Sequence, residues 1–267
     1  FVAMAEDVRV MIIKFADRIH NLGTLAALPP QKRYRIALES LEIYAPIANR
    51  LGMEEMKGEL EDLSFQYVYP KEYQRVKNMR DEKIAGKEEY FNNIIEKAKK
   101  ELESSNIKIL QMYGRNKRLY SLYKKLLSKD NQIARIYDIV AIRVIVPTVA
   151  DCYGALGILH NIWKPVKGRI NDYIFQPKPN GYQSLHTTVI GPFGERMEIQ
   201  IRTRAMHEVA EYGVASHWKY KEGKLDGGGT YEIYATLRQL LEWKDIKDPT
   251  EYMEAIKGEL IADVVYV

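Results

Sequence analysis

The hydrophobic period of this chain changes near residue 106, and that change constrains the fold more than any single motif does. Upstream, apolar residues recur at helical spacing. "VRVMIIKFADRIHNL" and "QKRYRIALESLEIYAPIANRLG" each carry an apolar stripe, the second stopped by Gly52, and "MEEMKGELEDLSFQYVYP" carries another that ends at Pro70. Residues 71–105 are highly charged and helical, with "EKIAGKEEYFNNIIEKAKKELESS" as a connector. Downstream, "NIKILQMYG" and "RIYDIVAIRVIVP" are rich in β-branched residues and end in Gly or Pro, which predicts strands. "NKRLYSLYKKLLSKD" and "VADCYGALGILHNIWKP" predict helices. "SLHTTVIG", "PFGE" and "RMEIQIRT" predict a hairpin, followed by a helix over "RAMHEVAEYGVASHWKYK". "DGGGT" at 226–230 reads as a loop and 231–262 as helix. The fold class is therefore α+β. A helical segment over 1–80 and a helical connector over 81–105 precede a mixed sheet flanked by helices over 106–222, and a helical linker over 223–267 follows.

A length of 267 residues with 46% hydrophobic side chains suffices for one large or two ordinary domains. No apolar run approaches the ~20 residues a bilayer crossing needs, and no signal-peptide pattern opens the chain, so no membrane partner is expected. The single cysteine, Cys152, excludes an internal disulfide framework and a multi-cysteine metal site, which points to the cytoplasm. Both ends read as cut. The chain opens at Phe1, and it stops inside the strand-like "ADVVYV", which alone would expose unpaired backbone groups. The net charge of +4 is modest, but its distribution is not even. Lys108, Arg115, Lys117, Arg118, Lys124, Lys125 and Lys129 lie between Glu103 and Asp130 with no acid among them.

Several residues are chemically out of place for plain folding elements. In "MEIQIRT" the strand period of two sends Met197, Ile199 and Ile201 to the core and Glu198, Gln200 and Arg202 to the other face, which suits a solvent-facing strand or one wall of a site. Asp138 interrupts an otherwise buried-looking run, where a carboxylate is costly unless it meets cations or a metal. If its strand shares a sheet with 197–202, Asp138 and Glu198 can face one side as oxygen ligands for Mg²⁺. Arg143 falls on the opposite face of a regular strand from Asp138 and joins such a site only through a bulge or from the strand end. Lys117, Ser121 and Lys125 share a helical stripe opposite Leu119, Leu122 and Leu126, a rail for polyphosphate or a solvated face. Arg115, just upstream, adds a guanidinium able to stack on a base or pair with phosphate. In "PKPNGYQSLH" the Asn180-Gly181 turn either projects Tyr182 outward, beside Lys178 and His186, to stack a nucleobase, or packs it on a neighbour. No Walker A sequence is present, since "AGKEE" lacks its spacing and hydroxyl. Near the start, "FADRIHNLGT" places Asp17, Asn21 and Thr24 on one helical face with His20 at its edge. One carboxylate and one histidine do not make a metal site, and polar residues bonded to their neighbours are the expectation from these residues alone.

"YGRNKRLYSLYKK", "YDIVAIRVIV", "NGYQSLHTTV", "EIQIRT" and "MHEVAEYGVASHW", in this order and at these spacings, resemble the long RelA/SpoT homologues, the (p)ppGpp synthetase/hydrolases of the stringent response. The likeness extends to "FADRIHN" and "EIYAPIANRLG" upstream and "LRQLLEW" downstream. It implies a nucleotidyltransferase-like sheet that moves pyrophosphate from ATP to the ribose 3′-oxygen of GDP or GTP, releasing AMP. It further implies that Asp138 holds Mg²⁺, and that Glu198 shares the metal or acts as general base. Arg115 and Arg143 would sandwich adenine, with Lys117, Ser121 and Lys125 on the ATP phosphates. Tyr182 would stack on guanine. Lys178, Asn180, His186 and Arg169 would serve the acceptor nucleotide, with Gln200 and Arg202 lining the polar face.

The family carries an Arg-x-Lys-Asp or a Glu-x-Asp-Asp quartet where this chain has "RIND". Arg169 and Asp172 match the first, while Asn171 matches neither, which leaves GDP against GTP open. The helical segment resembles the end of a Mn²⁺-dependent HD hydrolase, with Asp17 as its final metal ligand and Asn21 and Thr24 near guanine. The earlier His and His-Asp ligands fall before Phe1, so no (p)ppGpp hydrolysis is expected of this chain. "ADVVYV" resembles the entry to a TGS domain, so ribosome and deacylated-tRNA partners are expected only of a longer protein. Two other readings remain. A non-catalytic or switched-off nucleotide-binding regulatory module predicts binding without turnover. A basic RNA-binding domain predicts salt-dependent RNA affinity, against which Asp138 and Glu198 on the binding face count.

Overall fold

The structure, a computed structural model, describes residues 8–132, 136 and 139–219. Asp138, the loop over 226–230 and the helix expected over 231–262 lie outside the described residues. The chain divides into two units: Phe1–Pro70 with Pro179–Gly181 and Val209–Val267, and Lys71–Lys178 with Tyr182–Glu208.

In the helical unit, α1 (Val8–Gly23) turns Met11, Phe15 and Leu22 inward, at spacings that keep them on one helical face. The stripe that ends at Gly52 forms not one helix but three pieces. These are α2 (Pro30–Glu39), a π turn over Ser40–Tyr44, and α3 (Ala45–Arg50). Pro46 has no N–H for the Glu42 carbonyl and its ring crowds that carbonyl, so the helix widens just upstream, where Ala45 N–H donates to the Ser40 carbonyl. Leu41, Ile43, Tyr44, Ile47 and Ala48 all stay buried across the widening. Gly52 ends the run with φ 71°, a left-handed geometry that suits glycine. α4 (Glu54–Val68) supplies Leu60 and Phe65 to the core, and the Arg18 guanidinium makes a two-armed bond to Glu39, with Nη2–Oε1 at 3.1 Å. Within the same unit, Val214 N–H donates to the Leu51 carbonyl at 3.0 Å, and Gly213 sits so close that a Cβ there would lie 2.1 Å from that oxygen.

The second unit is a five-stranded mixed sheet in the order β1-β2-β5-β4-β3. Its strands are β1 (Gln111–Asn116), β2 (Val140–Val146), β3 (Lys164–Asp172), β4 (Leu185–Ile190) and β5 (Arg196–Thr203). β2 and β5 run parallel in the interior of the sheet, and every other pair is antiparallel, including the expected β4–β5 hairpin. One face is apolar: Ile142, Val144 and Val146, Met197, Ile199 and Ile201, and Leu185 and Val189. Against it pack Cys152, Ala155 and Leu159 of α8 (Val149–Ile162), together with Ile94, Ala98 and Leu102 of α6 (Glu88–Ser104). The segment read as a connector thus contributes three core residues to the sheet, and α5 (Pro70–Ile84) precedes it. Thr148 and Asp151 form a reciprocal capping box that starts α8. The helix after the hairpin is α9 (Arg204–Tyr212), continued from Gly213 as 3₁₀ turns.

The strand β3 has no clean alternation in its sequence. It is an edge strand carrying Pro165, with a break in register between Pro165 and Ile170 at Gly168, where φ is 70°. Among the described residues no helix is long and apolar enough to cross a membrane.

Candidate active site

The register of the sheet decides which side chains meet on its second face. Arg143 on β2 lies beside Gln200 on β5, which lies beside His186 on β4, which lies beside Asn171 on β3. Residues paired in register point the same way, and residues two apart along a strand share a face. Glu198, Gln200 and Arg202 therefore share a face with Arg143, His186, Thr188, Tyr113 and Arg115. This polar face lies opposite the layer of α6 and α8. The parity that sets Arg143 against Asp138 in the sequence places Arg143 on the side of Glu198. Regular pairing of β2 begins only at Val140, and the position of Asp138 lies outside the described residues.

At the centre of the face stands a chain of three groups. His186 Nδ1 is 3.2 Å from Glu198 Oε1, and His186 Nε2 is 2.7 Å from the Tyr182 hydroxyl. With a neutral imidazole, Nδ1–H donates to the carboxylate while the Tyr182 O–H donates to Nε2. Gln200 Nε2 donates to the same Glu198 oxygen at 2.8 Å. The Glu198 carboxylate is thereby fixed in direction by two donors, and it and the imidazole are each 17% exposed. Burial raises the pKa of Tyr182, against the pull of Arg202 and Arg143, which keeps its hydroxyl a donor. Gln200 Oε1 is buried and has no hydrogen-bond partner among the described residues, an acceptor without its donor.

Two of the arginines of this face, Arg143 and Arg202, are buried. Arg202 has no exposed surface, and its Nη2 is 2.7 Å from His207 Nδ1 on α9. Arg143 is 3% exposed, with Nη1 donating to the Tyr113 hydroxyl at 2.9 Å and the guanidinium 5.6 Å from the centroid of that ring. Arg115, half-buried on β1, pairs with Ala141. The helix α7 (Leu119–Leu127) buries Leu119, Leu122 and Leu126 as the pattern requires. It starts after Lys117, so only Ser121 and Lys125 share its flank. Lys117 stands on the approach from β1, where its N–H donates to the Ile139 carbonyl at 2.8 Å.

Beyond β3 the chain forms an aromatic cluster. Tyr173, Tyr182 and His186 meet edge to face, with centroids 5.2–6.1 Å apart. The exposed Lys178 places Nζ 4.8 Å from the Tyr173 ring and 5.2 Å from the Tyr182 ring. Gly181 takes φ 76°, and Lys178 N–H donates to the Tyr182 carbonyl, closing the expected turn. Asn180, one of the residues grouped with the helical unit, donates through Nδ2 to the Asn49 carbonyl at 3.2 Å. Arg169 is exposed on β3. Asp172, the last residue of the "RIND" quartet, accepts from the N–H groups of Ile174 and Phe175 and from the Tyr153 hydroxyl, which makes it the anchor of the following turn. Nothing in the spacing singles out Tyr173, one of 19 tyrosines. Tyr113 was legible, since it lies two residues before Arg115 on the same strand face.

In the helical unit Asp17 and Asn21 are exposed along α1 and Thr24 just past its end, where Thr24 Oγ1 donates to the Asn21 carbonyl at 3.1 Å. Among the described residues no three His, Cys, Asp or Glu side chains gather as a metal site. A cavity of about 400 Å³ lies beside Tyr90, Phe193 and Glu195, and none of the residues expected to hold nucleotides lines it.

Comparison with known proteins gives family matches over both units. Residues 114–225 match the family model described as a region found in RelA / SpoT proteins, and residues 1–54 match an HD domain. The whole chain is 49% identical to a GTP pyrophosphokinase of Myxococcus xanthus, covering 35% of that protein. It is 48% identical to a probable guanosine-3′,5′-bis(diphosphate) 3′-pyrophosphohydrolase of Synechocystis, covering 36% of it. Small alarmone synthetase 1 from Bacillus subtilis, solved with its product pppGpp, superposes with a TM-score of 0.42 at 22% identity, over 67% of this chain and 96% of that one. An HD-domain match over the helical unit followed by a RelA / SpoT match over the mixed sheet defines the class. The chain belongs to the RelA/SpoT family. It spans about a third of the length of the curated relatives it matches.

Proposed function

We propose that the sheet unit is a (p)ppGpp synthetase, which transfers the β,γ-pyrophosphate of ATP to the 3′-hydroxyl of GDP or GTP and releases AMP. The observation that carries this reading is the Tyr182–His186–Glu198 chain, set on the polar face with Gln200 and Arg143 in register. A carboxylate aimed by two donors suits removal of the proton from the ribose 3′-hydroxyl as that oxygen bonds to the β-phosphorus and the bond to the AMP oxygen breaks. Gln200 Oε1 offers an acceptor to a ribose hydroxyl. Arg115 and Arg143 stand on the donor side of the face, where a guanidinium can stack on adenine. Lys117, Ser121 and Lys125 answer the charge of the triphosphate, and Lys178, Asn180, Tyr182, Arg169 and Arg202 serve the acceptor.

The oxygen donor of Glu198, with Asp138 as its expected partner, is of the type Mg²⁺ takes, and a bound Mg²⁺ would neutralise charge on the phosphates. The assay is incubation of the chain with ATP, GDP and Mg²⁺, with separation of ppGpp and AMP. Wild-type protein yields both products in equal amounts, and Glu198→Ala and Asp138→Ala lose at least a hundredfold in rate, on the order expected for a catalytic base. Nucleotide binding without product from wild-type protein would support the regulatory-module reading instead.

A further inference from the structure

We propose that Tyr173 is a positioning residue for the acceptor nucleotide, acting through Lys178. This rests on the synthetase reading, in which Lys178 and Tyr182 meet the acceptor. Tyr173 is held before any ligand arrives. Its N–H donates to the Ser184 carbonyl at 3.0 Å, and the turn that follows it is clamped by Asp172, which accepts from Ile174 N–H at 3.0 Å and Phe175 N–H at 2.9 Å. The ring so fixed does two things. Its contact at 6.1 Å and 68° backs the Tyr182 ring, and at 5.2 Å and 89° it meets the His186 ring, whose Nδ1 reaches Glu198. It also draws the Lys178 ammonium to 4.8 Å from its centroid, nearer than the 5.2 Å to Tyr182.

A lysine on an exposed loop has about 2 kcal/mol of rotamer freedom to lose when it is fixed. Two electron-rich rings that gather its ammonium remove part of that loss in advance. The cation then already stands beside the ring on which the acceptor base stacks. His186 keeps its hydrogen bonds to Glu198 and Tyr182 without the Tyr173 ring, so the effect of Tyr173 falls on acceptor affinity.

Steady-state kinetics with ATP and GDP, each varied in turn, test this. Tyr173→Leu raises KM for GDP roughly fivefold, the range of one lost cation–π contact, with KM for ATP and kcat within twofold of wild type. Tyr173→Phe, which keeps the ring face, restores KM. In a Lys178→Ala background Tyr173→Leu adds less than it does alone, since the cation it positions is gone. A rise in KM for ATP, a fall in kcat, failure of the phenylalanine variant to restore affinity, or additive effects in the double variant would each overturn the proposal. A second measurement needs no variant that must fold. With ¹³C-labelled lysine, the Lys178 ε-protons of wild-type protein resonate upfield through the ring currents of Tyr173 and Tyr182. Their appearance at the ordinary lysine position would overturn the cluster itself. Absence of any product from wild-type protein would count against the synthetase reading, and the ring-current measurement then decides the role of Tyr173 alone.

Discussion

His186 is the hinge of the polar face, and its removal has consequences that can be given magnitudes. In His186→Ala the Glu198 carboxylate loses a donor at 3.2 Å and the Tyr182 hydroxyl loses an acceptor at 2.7 Å. A hydrogen bond to a charged group contributes roughly 1.5–3 kcal/mol and a neutral one roughly 1 kcal/mol. The first bond is long, so its lower figure applies. The two together cost on the order of 2 kcal/mol of stability, which lowers the thermal midpoint by roughly 4–8 °C. The kinetic effect is larger than a stability loss explains. Glu198 loses one of the donors that aim it, keeping Gln200, and can turn away from the acceptor hydroxyl, and a misplacement of about 1 Å costs on the order of a hundredfold in rate. His186→Asn discriminates between the two roles. Its amide nitrogen replaces Nδ1–H but not the acceptor at Nε2, so it recovers most of kcat and the larger part, though not all, of the lost stability. The assays are rates of ppGpp formation at saturating nucleotide and thermal unfolding followed by circular dichroism. A kcat within twofold of wild type in His186→Ala, or no difference between the alanine and asparagine variants, would refute the orienting role.

Three further outcomes are expected. Cys152 is fully buried and burial pushes its thiol up to about 12, so native protein resists iodoacetamide at roughly pH 8, where guanidinium-unfolded protein takes up one equivalent by mass; rapid native labelling would contradict this. The Lys87 ammonium, 2.6 Å away, holds the Glu195 carboxyl below its ordinary value despite partial burial. A carboxyl held low contributes stability above its unfolded pKa and loses it as pH falls through the folded value, so Lys87→Met costs under about 1 kcal/mol at neutral pH and nothing once Glu195 is protonated; urea titrations showing the same cost at both ends of that range would exclude the link. Gly213→Ala places a methyl group 2.1 Å from the Leu51 carbonyl oxygen at φ 53°, and should destabilise the helical unit by on the order of 3 kcal/mol in the same titrations, where a wild-type midpoint would disprove the close approach.

Period and turn chemistry made much of the sheet unit legible. Strict alternation in "MEIQIRT" separates Met197, Ile199 and Ile201 from Glu198, Gln200 and Arg202, and the pairing to β2 and β4 preserves that separation. β3 escaped because Pro165, Gly168 and its basic residues hide an edge strand that pairs on one side only. The stripe of Lys117, Ser121 and Lys125 assumed a helix start two residues too early. Nothing in the spacing could show that Arg118 takes an extended backbone, with ψ at 143°, and begins the helix only after itself. The direction of a long side chain is equally hidden. Arg143 and Lys178 read alike as cations near a site, yet one lies buried against Tyr113 and the other stands exposed over two rings. Asp172 looked like part of a specificity quartet, and its bonds are those of a turn anchor.

The widened turn at Ser40–Tyr44 bears on how the helical unit tolerates length changes. One additional residue per turn rotates everything after it by roughly 100° relative to an unbroken α-helix. Deleting a single residue there would remove about as much rotation as the widening absorbs, so a regular helix one residue shorter would keep Ile47, Ala48 and Leu51 on the buried face. The irregular geometry is what lets a proline and a continuous oily stripe coexist on one rod.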